Sequence, residues 1–176
     1  MAIEHSPDRY DQLAIIALGS NLGDSKGNVL QAMQRLSQFS DRPILKSSLW
    51  ETTPVDCPPG SPSFVNAVIG LVPCPGETPE TLHARLQSLE KEFGRQPKSL
   101  MNEARPLDLD LIAFGNETRS TPTLTIPHPR ACERRFVLQP LVEIAPDLVL
   151  PGQNATVAQL LSALPRDPHM RMISIG

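Results

Sequence analysis

Apolar residues recur with two different periods along this chain, and the order in which the periods alternate predicts its elements. Residues 13–18 are a continuous apolar run, as expected of a strand buried on both faces. The period then turns helical, with Val29, Ala32, Met33 and Leu36 on one face, Asp24 as the N-cap and an end near Gln38. Residues 44–50 alternate imperfectly as a second strand, and residues 64–72 read as a third. The best-signalled element is a helix over 79–93. Thr78 caps it, Pro79 takes the first position, Leu82, Leu86, Leu89 and Phe93 share a face, and Gly94 stops it. Period two returns in residues 105–114. Beyond them the pattern predicts a helix over 136–144, broken or begun around Pro140, a short strand at 148–150, and a last short helix over 157–164 behind Thr156. Residues 170–176 carry no decisive signal.

The order strand, helix, strand, strand, helix, strand places the chain in the α+β class. It predicts a ferredoxin-like βαββαβ core with a mainly antiparallel sheet and an appended small helical region. Residues 1–11 read as a flexible N-terminal arm, 12–165 as a single domain and 166–176 as a C-terminal tail. Two connections stand out: the proline-rich 56–62 and the basic 95–104, both of the kind that forms lids or binding loops.

Composition narrows the partners. A chain of 176 residues is long enough for its own core, with no need of disulfide or metal staples. Net charge is -3, from Lys+Arg 16 against Asp+Glu 19, which argues against a general nucleic-acid or membrane surface but permits a local cationic cleft. Cys57, Cys74 and Cys132 have no pairing or zinc spacing and read as free thiols in a reducing compartment, and with no signal-peptide core among the first residues the chain is expected to be cytoplasmic, or the mature form of a targeted protein. A monomer is expected.

The candidate chemistry lies in the stretch Arg105-Pro106-Leu107-Asp108-Leu109-Asp110-Leu111. In a strand its leucines face one way and both aspartates the other. Two like charges side by side need a compensating partner, and a hard divalent cation shared with substrate phosphates supplies one. Arg105 beside the pair suits a polyphosphate. Asn66, a polar amide inside an apolar strand, needs either backbone or ligand partners. His128 is held between Pro127 and Pro129 on a stiff backbone. The glycines of 19–26 do not have the spacing of a Walker phosphate loop and read as turn chemistry with Asn21.

Several motifs, in one order, resemble the 6-hydroxymethyl-7,8-dihydropterin pyrophosphokinases of folate biosynthesis. They are residues 17–24 after the first strand, 64–67 in the third, Gly94-Arg95 after the second helix, 105–110, 126–130 and 134–138. The resemblance implies transfer of a diphosphate from ATP to the pterin hydroxymethyl group with release of AMP. Two Mg2+ ions would be bridged by Asp108 and Asp110. By the same resemblance Arg95 and Arg105 are catalytic, while Gln87, Glu90, Arg95, Arg105, His128 and Arg134 contact ATP. The pterin would stack between Phe64 and Phe136, with Asn66 and the segment Thr52, Thr53, Pro54 and Val55 reading its polar edge.

The chain departs from the family where Asn102 replaces an aromatic, Pro129 stands for a tyrosine, and the loop before Arg105 is one residue longer. Family members also occur fused to the next folate enzyme. Two other readings compete with this one: a magnesium-dependent phosphoryl or nucleotidyl transferase on the same Asp-x-Asp, and a ferredoxin-like RNA-binding module. Only 4% of residues are aromatic, and no aromatic RNA-binding motif is visible, which disfavours the module.

Overall fold

The computed structural model describes residues 12–53, 62–94 and 106–173. Strand β1 (Ala14–Ser20) carries the first apolar run two residues further than predicted. Helix α1 (Ser25–Leu36) starts where the Asp24 carboxylate accepts the Gly27 N–H, and tightens into a 3-10 turn at Ser37–Phe39. Strands β2 (Leu45–Lys46), β3 (Leu49–Thr52) and β4 (Phe64–Leu71) follow. Helix α2 (Pro79–Glu92) has the predicted cap: the Thr78 hydroxyl accepts the Thr81 N–H and the Thr81 hydroxyl accepts the Thr78 N–H. After β5 (Asp108–Phe114) come a small hairpin, β6 (Arg119–Ser120) with β7 (Thr125–Ile126), and helices α3 (Arg135–Ile144) and α4 (Val157–Ala163). Strand β8 (Met170–Ile173) comes last.

The main sheet has the order β5-β1-β4-β3-β8, with β2 also on β4, and every pairing is antiparallel. Minus β8, this is the predicted ferredoxin-like arrangement. Period two splits the strands between two cores. Ile16, Leu18, Val65, Ala67, Leu109 and Leu111 face α1 and α2, whereas Ile15, Val68 and Ile112 face α3 and α4. The appended helices therefore form a third layer on the second face of the sheet. No described helix is long and apolar enough to cross a membrane.

Three local expectations change. Residues 44–50 are not one strand, because four steps from Lys46 to Trp50 oppose three from Ile69 to Asn66. The extra residue is a bulge at Ser47 and Ser48: the Ser47 hydroxyl takes the Val68 N–H at 2.9 Å, and the Glu143 carboxylate takes the Ser48 N–H at 3.0 Å. Residues 148–150 form no strand, since the Leu148 N–H turns back to the Ala145 carbonyl and Leu148 and Leu150 fill the second core. Helix α3 runs straight through Pro140, which is buried within it.

Candidate active site

Helices α3 and α4 cover only one end of their sheet face. Ile144, at the C-terminal end of α3, packs on Gly70 toward one end of β4, and Phe136 is in the first turn of that helix; Asn66 and Phe64 mark the opposite end of β4. At that end a single row crosses the sheet in register: Asp108 on β5, Gly19 on β1, Asn66 on β4 and Trp50 on β3. The next row inward reads Asp110, Ala17, Val68. The two aspartates thus stand on one face, as alternation predicts, over a floor of glycine and alanine. Two strand spacings separate Asp108 from Asn66, or about 10 Å. A Cβ on Gly19 would sit 3.0 Å from Asn66 Oδ1, so the missing side chain is what keeps the trough open.

The far wall of the trough is polar, and its Thr52 hydroxyl is buried without a partner among the described residues. Asn66 is 8% exposed, and among the described residues its side-chain amide has no hydrogen-bond partner. Thr52 reaches this face only because of the bulge: one residue fewer would turn Trp50 and Thr52 to the opposite side. The Trp50 indole N–H is tied to the Glu143 carboxylate of α3 at 2.7 Å. Phe64, in register with Thr52, and Phe136 are 44% and 38% exposed, two large aromatic side chains with surface left open. Such a wall suits a flat heterocycle with donors and acceptors on its rim.

A second bulge places the histidine. Strand β1 pairs Ile15 with Ala113 and Ile16 with Leu111, which leaves Ile112 as the extra residue of β5. Its carbonyl accepts the His128 N–H at 2.8 Å, after a cis Ile126-Pro127 bond. His128 Nδ1 accepts the Arg130 N–H at 3.2 Å, which leaves Nε2 to carry the proton of the neutral ring. Burial first, then the charges of Arg134 and Arg130, hold its pKa below the usual 6.5, while Asp108 pulls the other way. The imidazole is therefore a neutral N–H donor between a cationic pair and the carboxylates. The Arg134 guanidinium lies 5.4 Å over the Phe136 ring, linking the cationic side to the aromatic wall.

Glu90 is 5% exposed on α2, and its Oε2 accepts the N–H of Leu109 at 2.7 Å. The residue between the two aspartates is thus pinned at the open edge of β5. Gln87 lies one turn earlier on α2 and is exposed. Pro54, Val55, Arg95, Arg105 and Asn102 lie outside the described residues, as do both expected lid segments except Pro62. Asp108 and Asp110 offer oxygen only, the donor set of a hard cation. No group of three or more potential metal ligands exists among the described residues, so a magnesium ion here would complete its shell with phosphate oxygens and water. The pair fits that role. A separate cleft of about 360 Å3 at the other end of the sheet is lined by Asp41, Glu77 and Glu117, which suits no phosphate.

Residues 15–146 match the family of 7,8-dihydro-6-hydroxymethylpterin-pyrophosphokinase, HPPK. The chain belongs to this family. It is 41% identical over 145 residues to the 2-amino-4-hydroxy-6-hydroxymethyldihydropteridine pyrophosphokinase of Haemophilus influenzae, covering 80% of this chain and 86% of the relative. It is 38% identical to the folic acid synthesis protein fol1 of Pneumocystis carinii over 87% of this chain, yet spans only 20% of that protein. The wild-type Plasmodium falciparum HPPK-DHPS solved with pteroate shares the fold, with a TM-score of 0.62 at 14% identity over 85% of this chain and 42% of that one.

Two residues of this site carry no local signal of their role. Gly19 reads as turn chemistry in the sequence, yet it continues β1 and floors the trough. Asn28 stands in an ordinary helical position, yet its amide reaches Pro106, two residues before the aspartate strand. Its place in the first turn of α1, one residue before the buried Val29, marks the helix and not the bridge.

Proposed function

We propose that this chain transfers the β,γ-diphosphate of ATP to the hydroxymethyl oxygen of 6-hydroxymethyl-7,8-dihydropterin, with AMP as the other product. The row Asp108, Gly19, Asn66 carries the reading. It sets a metal-type carboxylate pair about 10 Å from a polar heterocycle wall, on one rigid sheet face with an open floor between. Asp108 and Asp110 hold Mg2+, which when bound neutralises and aligns the polyphosphate. His128 donates from Nε2 to a phosphate oxygen, and Arg134 adds positive charge. Arg95 and Arg105, with Gln87 and Glu90 on the nucleotide side, complete the set by family resemblance. Phe64 and Phe136 sandwich the pterin, and Asn66, Thr52 and the segment 53–55 read its edge. A monomer acting in the cytoplasm, on small molecules alone, completes the reading.

The nucleotide product tests it. Incubation with MgATP and the pterin should yield AMP and pterin diphosphate in equal amounts, and neither without pterin. ADP would retain the metal site and refute the transfer. No consumption would leave only a binding domain.

A substitution tests the wall. Asn66→Ala should weaken pterin binding by about 1 to 3 kcal/mol, the penalty of unpaired polar groups, and leave nucleotide binding nearly unchanged. Calorimetry with each ligand decides this: equal losses for both would move Asn66 out of the pterin site.

A further inference from the structure

The β1–β5 ladder stops at Gly19 and Asp108, and chemistry explains why it cannot continue. Two residues outward from Asp108 stands Pro106, which has no N–H to donate. On the facing side the chain leaves β1 and turns through Leu22 and Gly23, whose φ of 72° takes the backbone away from β5. Two strand ends that part at this point would leave the first aspartate on a loose end.

A side chain closes the gap. Asn28 Nδ2 lies 3.1 Å from the Pro106 carbonyl, 3.2 Å from the Leu22 carbonyl and 3.5 Å from Ser20 Oγ. Asn28 is itself fixed, because its backbone N–H opens α1 on the Asp24 carbonyl at 2.8 Å. One amide from α1 therefore supplies the Pro106 carbonyl with a donor where the ladder has ended, while the N–H that proline lacks leaves nothing to satisfy. Both carbonyls need a donor, so an amide fits and a carboxylate of the same shape does not. From α2 the Glu90 carboxylate accepts the Leu109 N–H, so Asp108 lies between two side-chain anchors, a donor on Pro106 and an acceptor on Leu109.

We propose that Asn28 is a positioning residue for the carboxylate pair: its amide bridge from Leu22 to Pro106 fixes where Asp108 stands and thereby tunes affinity for the metal–nucleotide complex. The inference rests on the metal role assigned above to Asp108 and Asp110.

The experiment compares Asn28→Asp, which keeps the shape and loses the donor, with Asn28→Gln, which keeps the donor. Binding of Mn2+ with a non-hydrolysable ATP analogue is measured by calorimetry, and KM for pterin, kcat and Tm are followed alongside. Asn28→Asp should weaken metal–nucleotide binding about tenfold, equivalent to one or two ordinary hydrogen bonds. It should also raise the Mg2+ needed for half-maximal activity, with KM for pterin changed less than about twofold, and Asn28→Gln should recover most of the loss. Unchanged metal–nucleotide affinity in Asn28→Asp overturns the proposal. So does a loss shared equally by pterin binding and Tm, which would mark a merely structural residue. If Asn28→Asp does not fold, Asn28→Ser, whose single hydroxyl is too short to bridge both carbonyls, is held to the same criterion. Asp108→Asn is titrated in parallel. No loss there removes the metal reading itself, whereas a loss there without one in Asn28→Asp removes only the role of Asn28.

Discussion

Asp108→Asn and Asp110→Asn should each lower turnover roughly a hundred- to a thousandfold, the range that follows removal of one preorganised electrostatic contact. Stability should hardly change, because both side chains are half-exposed on the open face and the core contacts of β5 belong to Leu109 and Leu111 through Phe114. The amide keeps the shape of the carboxylate and one oxygen, but not the charge that pairs with a hard cation. Raising Mg2+ should recover part of the activity, since weaker binding can be offset by mass action. Steady-state kinetics over a range of Mg2+, with circular dichroism as the check on folding, decide this. Near-normal turnover in either variant at ordinary Mg2+ would sink the assignment of the pair as the metal site.

The parts of this site visible in the sequence are those encoded within a single element. The Leu-Asp-Leu-Asp-Leu alternation of 107–111 is a complete statement of one strand, so both its core face and its chemical face could be read directly. The caps of α2 were legible for the same reason: Thr78, Pro79 and Gly94 act within a few residues of one another. What the sequence concealed depends on two strands at once. The bulge at Ser47 and Ser48 exists only in the mismatch between β3 and β4, yet it decides that Thr52 faces the site. The bulge at Ile112, which supplies the carbonyl for His128, exists only against β1.

Gly19 and Asn28 are hidden on the same ground. A glycine after an apolar run reads as a turn, and only the register shows a residue with Asp108 on one side and Asn66 on the other. Asn28 meets its partner Pro106 across 78 positions, a contact no local pattern signals. Strand β8 is a third case. Residues 170–173 alternate only weakly, and they form a strand because β3 offers an open edge: Thr52 pairs with Met170, and the Thr53 N–H reaches the His169 carbonyl at 2.9 Å. The Arg171 guanidinium on Glu51 is exposed and adds little.

Leu109→Ala should produce the opposite result to the aspartate substitutions. Leu109 sits between Asp108 and Asp110, but its side chain points through the sheet into the core shared with α1 and α2, where it is 6% exposed. Truncation there removes buried methyl groups and leaves a cavity, at a cost of about 2 to 5 kcal/mol. That is a large share of the roughly 5 to 15 kcal/mol that holds a domain of this kind together. The bond that orients the strand survives, because Glu90 binds the backbone N–H of Leu109 and not its side chain. Denaturant titration should therefore show a much lower midpoint with an unchanged slope. Turnover per folded molecule, measured well below the midpoint, should stay within a few-fold of the parent. A variant that lost turnover while keeping its stability would mean that the two faces of β5 do not divide chemistry from core, and the site would have to be rebuilt around the other side of the sheet.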